Sequence, residues 1–327
     1  MPEGDTIFRA ATALRKALQG ARVTQFHSAR LGRGPVGERI EEVTARGKNL
    51  LLRFEKGRTL RTHMMMHGSW HIYREGERWR LPGFQARVEL HADNGLVAVC
   101  FAAPVVEWLM PGAIANLGPD ATADAFDSAE AARRLRHLDG VPLERALLTQ
   151  SALSGVGNVI KCEALFLERR DPFQPVSSLD DEALAALVDR SHRLLVRNRT
   201  AGPRSTRNAF GAVRFWVYGR SGEPCFVCGE TVRVKKTQRI TYYCPRCQLD
   251  LRPRRRMSAT VGKLLVAIGL AIALVGALAW LAPRSLRWMG RLPGDIRGEH
   301  FAFPIVTCLV ISVVLTIVLN VLARLLR

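Results

Sequence analysis

The spacing of apolar residues divides the chain into regions of different predicted secondary structure. Between residues 6 and 19 the apolar side chains recur at steps of three and four, which predicts an amphipathic helix that ends at Gly20. From residue 22 to about residue 101, short runs of alternating apolar and polar residues are separated by turn sequences such as Asp-Asn-Gly at 93–95. This pattern is typical of an antiparallel β-sandwich, and we therefore predict a first domain at residues 1–120.

Helical spacing replaces the alternating pattern in the next part of the chain, which we predict to be a second domain at residues 121–220. The apolar positions fall on one helical face in four segments, at residues 128–138, 143–150, 156–169 and 179–197. A short cysteine-rich unit follows at residues 221–251. Together with the β-sandwich, with its flanking helices, these segments predict the α+β fold class.

Two long apolar runs follow the basic stretch at residues 252–256. Residues 261–281 are apolar except for Lys263 near the start, and residues 301–323 carry no charge. A helix rises about 1.5 Å per residue, so about 20 residues cross the ~30 Å hydrocarbon layer of a bilayer. Two buried helices of a soluble core are the alternative, but soluble helices usually carry a polar stripe. We therefore predict a membrane domain of two transmembrane helices at residues 257–327, with both ends on the cytoplasmic side.

Charge narrows the class of partner. The chain has 48 Lys and Arg residues against 29 Asp and Glu residues, which gives a formal net charge of +19. Such an excess favours a polyanionic partner, so nucleic acid is the first expectation and an anionic membrane surface is the second. The chain has seven cysteines and starts without an apolar signal segment, which predicts a reducing cytoplasm and no disulfides.

Four cysteines have the spacing of a zinc site. Cys225 and Cys228 form one pair, Cys244 and Cys247 form another, and fifteen residues separate the pairs. Four thiolates suit a tetrahedral zinc ion, and a site filled by protein ligands leaves no open position for catalysis. We therefore predict one structural Zn2+, against the alternative of redox or disulfide use, and a β-hairpin with a basic loop between the pairs.

Four sequence blocks resemble, in chain order, the formamidopyrimidine-DNA glycosylase and endonuclease VIII family. They are MPEGDT at 1–6, ARGKNLLLRF at 45–54, LSGVGNVIKCEALF at 153–166 and QRITYYCPRCQ at 238–248. The resemblance covers about residues 1–251, and the Gly-Asp of the first block favours the endonuclease VIII branch. It implies a DNA-repair enzyme that removes oxidised bases, with oxidised pyrimidines as the expected substrates, and then cleaves the strand at the abasic site.

The first block supplies the nucleophile in this family resemblance. Removal of Met1 would leave Pro2 with a free secondary amine, and an α-amino group has a pKa of about 8, so part of it is unprotonated at neutral pH. The resemblance implies that this amine attacks the sugar C1′ and forms a Schiff base, which then drives elimination of the flanking phosphates. Without the resemblance, a proline after methionine often marks only a processed chain start.

Two further residues resemble the family's catalytic set. Glu3 resembles the general acid-base that moves protons at the sugar ring, and Lys48 resembles a lysine that contacts the DNA backbone near that sugar. The alternatives are a helix-start carboxylate for Glu3 and a solvated turn cation for Lys48.

The resemblance also assigns residues that hold the DNA. The Gly-Val-Gly-Asn sequence at 155–158 looks like the family's helix-two-turn-helix element, which implies that Asn158 bonds a phosphate beside the lesion. Arg239, in the hairpin between the cysteine pairs, is expected to bind a phosphate from the other side. A simple helix cap is the alternative for Asn158.

An extruded base leaves a gap in the duplex, and the sequence offers residues that could fill it. Met65, Met66 and His67 align with the family's void-filling residues. Other family members have glutamine, leucine and tyrosine here, and an acidic residue found in some endonucleases VIII corresponds to Thr6, so the lesion preference stays open. A buried methionine cluster is the alternative.

The C-terminal region resembles a different family. The sequences at 290–296 and 303–312 look like a small family of two-span bacterial membrane proteins without an assigned function, starting near Met257. The chain is then either a fusion of two neighbouring genes or a gene-boundary artefact.

These observations predict a bifunctional DNA glycosylase and abasic-site lyase of base-excision repair. Its partners would be damaged DNA, double-stranded or partly unpaired, and the membrane, with no small-molecule cofactor. The catalytic part would lie in the cytoplasm, anchored to the cytoplasmic membrane. The alternatives are a non-catalytic membrane-tethered DNA-binding protein and a membrane protein with a regulatory soluble head.

Overall fold

The computed structural model describes residues 2–110, 112–200, 202–207 and 213–249, together with residues 266, 269, 273, 296, 297, 302, 303 and 312. The chain divides into two compact units, Met1–Leu251 and Arg252–Arg327. The first unit holds every predicted site residue. The predicted domain boundaries at residues 120 and 220 lie inside it and remain predictions.

The N-terminal part of the first unit is a β-sandwich with one helix packed on it. The helix α1 spans Gly4–Leu18, and the strands β1 to β8 span Val23–His27, Ile40–Arg46, Asn49–Phe54, Thr59–His63, Ser69–Arg74, Ala86–Ala92, Leu96–Phe101 and Val105–Trp108. They form two antiparallel sheets of four strands, in the orders β1-β6-β7-β5 and β2-β3-β4-β8.

Both sheets and α1 share one hydrophobic core. On α1, Ile7, Leu14 and Leu18 are buried in the same cluster as Leu90 of one sheet and Phe54 of the other. Alternating strand residues and a helix with apolar positions at three- and four-residue steps produce this arrangement because each element presents one apolar face. The predicted antiparallel β-sandwich is confirmed.

A helical region follows, with its own core. The helices α2 to α5 span Ser128–Arg136, Leu143–Ala146, Asn158–Leu167 and Asp181–Arg197. Two of them begin at local caps, because Asp127 accepts from the Glu130 amide at 2.8 Å and Asp180 accepts from the Ala183 amide at 2.7 Å. The helix α4 has no side-chain cap from its own N-cap residue, Gly157, and its cap comes from elsewhere in the chain.

The cysteine-rich region forms the predicted β-hairpin. The strands β9 (Arg233–Lys236) and β10 (Ile240–Tyr243) pair antiparallel, and a short helix, α6 (Pro245–Gln248), follows. Phe166 of α4 is buried with Val232 and two of the cysteines in one apolar cluster, so the hairpin packs directly on α4.

The second unit is described only in part. Its strands β11 (Ile296–Arg297) and β12 (Ala302–Phe303) pair antiparallel, so residues 302 and 303 of the apolar run at 301–323 are in a strand and not in a helix. Most of that run, and most of the run at 261–281, lies outside the described residues. Among the described residues, no helix has the length and hydropathy needed to cross a bilayer.

Candidate active site

Glu3 has a fully buried carboxylate that caps a helix far away in sequence. It accepts hydrogen bonds from the backbone amides of Val159 at 2.7 Å, Gly157 at 3.2 Å and Ile160 at 3.3 Å. These amides belong to the start of α4, where backbone donors lack helical partners and the helix dipole favours negative charge. Glu3 therefore connects the N-terminal segment to α4 in the helical region.

The glycines around this contact leave room for it. A Cβ on Gly157 would lie 2.3 Å from Cδ of Glu3, and a Cβ on Gly4 would lie 3.0 Å from Cα of Gly155. The Gly4 amide also donates to the carbonyl of Gly155 at 2.9 Å. Gly155 has a φ of +92°, a conformation that glycine adopts without strain. The Gly-x-Gly spacing at 155–157 is thus explained by close approach of the N-terminal segment.

The electrostatic surroundings of Glu3 are mixed. Burial raises the pKa of this carboxyl above its usual value, while the positive charges of Arg204 and Lys48 and the hydrogen bond from Val159 oppose that rise. Nη1 of Arg204 lies 3.9 Å from Oε1 of Glu3. A carboxyl with a raised pKa holds a proton at higher pH than an exposed one, as a general acid requires.

Lys48 lies in the turn between β2 and β3 and is half-buried. Burial lowers the pKa of its ammonium to about 8; the negative charge of Glu3 opposes this shift, and the positive charges of Arg239 and Arg204 add to it. The turn itself is fixed to the helical region, because the Gly47 amide donates to Oδ2 of Asp120 at 2.6 Å. Lys48 therefore lies within the electrostatic reach of both Glu3 and Arg239.

Pro2 directly precedes Glu3 and is half-buried. Since the carboxylate of Glu3 is fixed on α4, chain connectivity holds the proline at the same place, at the start of α1. The structure therefore brings Pro2, Glu3 and Lys48 to one side of the first unit.

Asn158 is the first residue of α4 and is 7 % exposed. Its Nδ2 donates to the carbonyl of Ile240 at 2.8 Å, and its Oδ1 accepts from Nζ of Lys161 at 2.8 Å. The alternative of a helix-cap role is wrong, because the N-cap residue is Gly157 and Asn158 bonds the hairpin instead.

Arg239 is exposed in the turn between β9 and β10. Its charge lowers the pKa of both Lys48 and Lys161, so the hairpin turn lies close to both amines. The hairpin therefore brings a cation to the same region as Asn158.

The three expected void-filling residues lie in the loop between β4 and β5. Met65 is 46 % exposed and Met66 is 53 % exposed, and His67 is also exposed, whereas the neighbouring Met64 is buried in the core. Met65 has a φ of +48°, a backbone conformation that costs energy in a non-glycine residue. The alternative of a buried methionine cluster therefore holds for Met64 alone.

Arg204 was missed by the sequence analysis. It forms an ion pair with the buried Asp5, with Nε 2.5 Å from Oδ2, and its Nη2 donates to Oγ1 of Thr6 at 2.9 Å. Desolvation lowers its pKa, but the bonds to Asp5 and the charge of Glu3 outweigh this effect and raise the pKa overall. No local signal in the sequence indicates this pair, because the burial of Asp5, which requires a cation from elsewhere in the fold, is seen only in the folded chain.

The four cysteines of the zinc motif converge. Their Sγ atoms all lie within 4.8 Å of one another, with 3.9 Å between Cys225 and Cys247 and 3.4 Å between Cys228 and Cys244. A tetrahedron with Zn–S bonds of about 2.3 Å has edges of about 3.8 Å, whereas a disulfide needs about 2.05 Å. The thiol arrangement fits one structural zinc ion and confirms that prediction.

Four family profiles match the chain in succession. Residues 1–102 match the formamidopyrimidine-DNA glycosylase N-terminal domain, and residues 117–208 match the formamidopyrimidine-DNA glycosylase H2TH domain. Residues 222–249 match a zinc finger found in FPG and IleRS. Residues 262–322 match a family described as protein of unknown function (DUF2905). The first three matches cover the unit that holds the site.

Individual relatives are similar over that same unit. The chain is 38 % identical over 267 residues to the probable endonuclease 8 2 of Streptomyces coelicolor, covering 78 % of this chain and 96 % of the relative. It is 35 % identical over 262 residues to the DNA-(apurinic or apyrimidinic site) lyase Nei2 of Mycolicibacterium smegmatis, covering 76 % and 99 %. The crystal structure of MutM (Fpg) from Thermus thermophilus superposes with a TM-score of 0.62 at 29 % identity, covering 76 % and 98 %.

Proposed function

Since this chain belongs to the formamidopyrimidine-DNA glycosylase and endonuclease VIII family, we propose that it removes damaged bases from DNA and then cleaves the strand at the resulting abasic site. The observation that carries the assignment of residues is the buried carboxylate of Glu3, held on the first turn of α4. This contact supports our proposal that Pro2 acts together with Glu3 as the acid-base group, Lys48 as a phosphate contact and Asn158 as a DNA-binding residue.

Pro2 supplies the nucleophile. After removal of Met1, the lone pair of its nitrogen attacks C1′ of the damaged nucleotide, and the bond from C1′ to the base breaks as the base leaves with its electron pair and a proton. Loss of the amine proton and opening of the sugar ring give an iminium ion between nitrogen and C1′. The cation accepts the electron pair of the C2′–H bond, and the 3′ phosphate leaves, so the strand is cut without an outside reductant or oxidant.

Glu3 and Lys48 support this chemistry. The raised pKa of Glu3 lets it hold the proton that the ring oxygen takes up and later receive one from the sugar. Lys48 is mostly protonated at neutral pH, since its pKa is about 8, and its charge is suited to the phosphate next to the reacting sugar.

Asn158 and Arg239 hold the DNA backbone on either side of the extruded nucleotide, and Met65, Met66 and His67 fill the space that it leaves. The exposure of these three loop residues supports this role, because a wedge must be free to enter the base stack. Oxidised pyrimidines are the proposed substrates, on the basis of the resemblance to endonuclease VIII.

Borohydride trapping tests the chemistry directly. The full-length protein with Met1 removed should form a covalent adduct with duplexes that contain thymine glycol or an abasic site, since borohydride reduces the iminium. Protein with a non-cleavable N-terminal extension should bind DNA but form no adduct, and Glu38→Gln, a change in a buried carboxylate of the sandwich, should trap as the unmodified protein does. Tight DNA binding with no adduct in any form would instead indicate the non-catalytic alternative.

The C-terminal unit extends this proposal to the membrane. We propose that residues 257–327 anchor the enzyme, because the apolar residues 261–281, and 304–323 after strand β12, are each long enough to span a bilayer as a helix. An antibody against the N-terminal part should detect one 36.3 kDa product in the membrane fraction of native cells. A smaller product in the supernatant, with the C-terminal part as a separate polypeptide, would show a gene-boundary artefact.

A further inference from the structure

Lys161 is a buried cation that the proposed chemistry does not use. Its side chain is fully buried in α4, and burial lowers the pKa of the ammonium. A buried charge is costly unless it is paired and hydrogen-bonded, and removing one partner of such a pair is usually destabilising. A leucine or methionine would fill the same space at a lower cost in free energy. The lysine at this position therefore has a role other than packing.

The ammonium of Lys161 joins two separate elements. Its Nζ donates to Oδ1 of Asn158 at 2.8 Å on its own helix, and to Oγ1 of Thr241 at 2.7 Å and the carbonyl of Ile240 at 3.4 Å on β10. All three N–H groups of the ammonium are thus directed to Asn158 and the hairpin.

A second layer holds the lysine in place. The hydroxyl of Thr241 donates to the carboxylate of Glu144 on α3, and Nζ of Lys161 lies 4.0 Å from that carboxylate. Glu144 and Thr241 are themselves buried. A fully bonded polar network in a low-dielectric interior fixes the relative position of its members more sharply than apolar packing does.

The network includes or adjoins Asn158 and Arg239, the two residues that are proposed to hold the DNA. Asn158 belongs to it, Ile240 follows Arg239 in the chain, and Lys161 and Arg239 both line a cavity of about 260 Å³ between α3 and the hairpin turn. The proposed phosphate-binding groups are on different elements, and Lys161 bonds to both elements, next to the direct hydrogen bond from Asn158 to Ile240.

We propose that Lys161 is a positioning residue for DNA binding, which sets the spacing between Asn158 and Arg239 so that both reach phosphates of the same bent strand. This inference rests on the proposed function, because it assumes that those two residues contact DNA. Lys161 itself touches no DNA, and its effect passes through the two residues that it fixes.

Anisotropy titrations test the proposal on the full-length protein, with a duplex that carries a tetrahydrofuran abasic analogue. Lys161→Met keeps the length of the side chain and removes the ammonium, and it should weaken binding roughly 10- to 100-fold, as expected for misplaced charge-assisted contacts. The plot of log affinity against log salt should become shallower by about 0.9, because the misplaced Arg239 is one cationic phosphate contact and the neutral amide of Asn158 releases no counterion. A purely structural role would lower the melting temperature and leave the slope unchanged.

A double-mutant cycle identifies the route of the effect. When Asn158→Ala and Arg239→Ala are already present, Lys161→Met should change affinity by less than about twofold, because the contacts that it positions are gone. Glu38→Gln is the control for loss of a buried ion pair, since Glu38 pairs with Arg58 at 2.9 Å in the β-sandwich. That variant should keep the affinity and the salt slope of the unmodified protein.

Thr241→Val tests the positioning role of Lys161 if Lys161→Met does not fold. It keeps the shape of the side chain and removes one of the three acceptors of Lys161, so folded Thr241→Val protein should also bind more weakly and with a shallower slope. Unchanged affinity and slope in the folded variant, or a full loss from Lys161→Met in the doubly substituted background, would overturn the proposal. Failure of the proposed function looks different, because the unmodified protein would then form no borohydride adduct.

Discussion

Gly157→Ala is the sharpest test of the contact between the N-terminal segment and α4. Gly157 has a φ of −121°, which alanine adopts without strain, so the substitution changes the available space and not the backbone. The added Cβ would lie 2.3 Å from Cδ of Glu3, whereas carbon atoms pack best at about 3.5 to 4.0 Å. The carboxylate must therefore move by more than about 1 Å, away from the Val159 amide that it now accepts from at 2.7 Å.

Two effects follow from that displacement. Overpacking of this kind costs about 1 to 3 kcal/mol, and a weakened charge-assisted hydrogen bond at the helix start adds about 1.5 to 3 kcal/mol, so we expect a loss of about 2.5 to 6 kcal/mol in the free energy of unfolding. A displacement of about 1 Å in a catalytic group also costs about 100-fold in rate. Urea unfolding measures the first effect, and single-turnover base release with a thymine glycol duplex measures the second.

Gly140→Ala is the matched control. A Cβ at Gly140 would meet no atom within 4 Å, and the residue is exposed at the end of the α2 region. This variant should keep full activity and gain up to about 1 kcal/mol in stability through a less flexible unfolded chain. If Gly157→Ala matched it in both stability and single-turnover rate, Glu3 would not be held by α4 in the active enzyme, and our assignment of its role would fail.

Three more predictions test other parts of the site. Lys48 has a pKa of about 8 in the free protein, and a bound phosphate raises the pKa of a neighbouring ammonium. DNA affinity, measured by anisotropy titrations, should therefore fall as the pH rises through about 8. The DNA affinity of Lys48→Met should not change with pH over the same range. Removal of zinc with a chelator should unfold the hairpin and abolish tight DNA binding. Zinc release and fluorescence anisotropy, measured in parallel, test this expectation. Full DNA binding by the metal-free protein would contradict the structural role of the zinc ion. Met64→Ala should lower the free energy of unfolding in urea by about 2 to 5 kcal/mol, because Met64 is buried. Met65→Ala should leave that stability unchanged but reduce base extrusion, measured by the fluorescence of 2-aminopurine next to the lesion. Equal losses of stability in the two variants would refute the proposed void-filling role of Met65.

Local patterns were sufficient to predict the elements and the metal site. The alternating residues between 22 and 101 indicate strands because one face of each strand is buried, and the two antiparallel sheets follow from short turns such as 93–95. The cysteine spacing predicts zinc because two knuckles impose the tetrahedron almost independently of the rest of the fold.

Contacts between distant residues could not be derived in this way. Glu3 and Val159 are separated by 156 positions, and neither the pairing nor the burial of the carboxylate has a local signature. The same holds for Arg204, which pairs with Asp5 across 199 positions, and for the side-chain N–H of Asn158, which donates to the carbonyl of Ile240 across 82 positions. Resemblance to a family could assign a role to Glu3, but only the folded chain shows what holds it in place.

The joining of the chain start to α4 also sets an order of events during synthesis. The ribosome releases Met1 and Pro2 long before it has made residues 155–160, so an aminopeptidase meets a free, unfolded end. Once α4 has formed, the carboxylate of Glu3 accepts hydrogen bonds from its first turn, and Pro2 is then held beside that turn. The proposed nucleophile, Pro2, is therefore synthesised early, but the residues proposed to act with it come together only after about two-thirds of the first unit has been made.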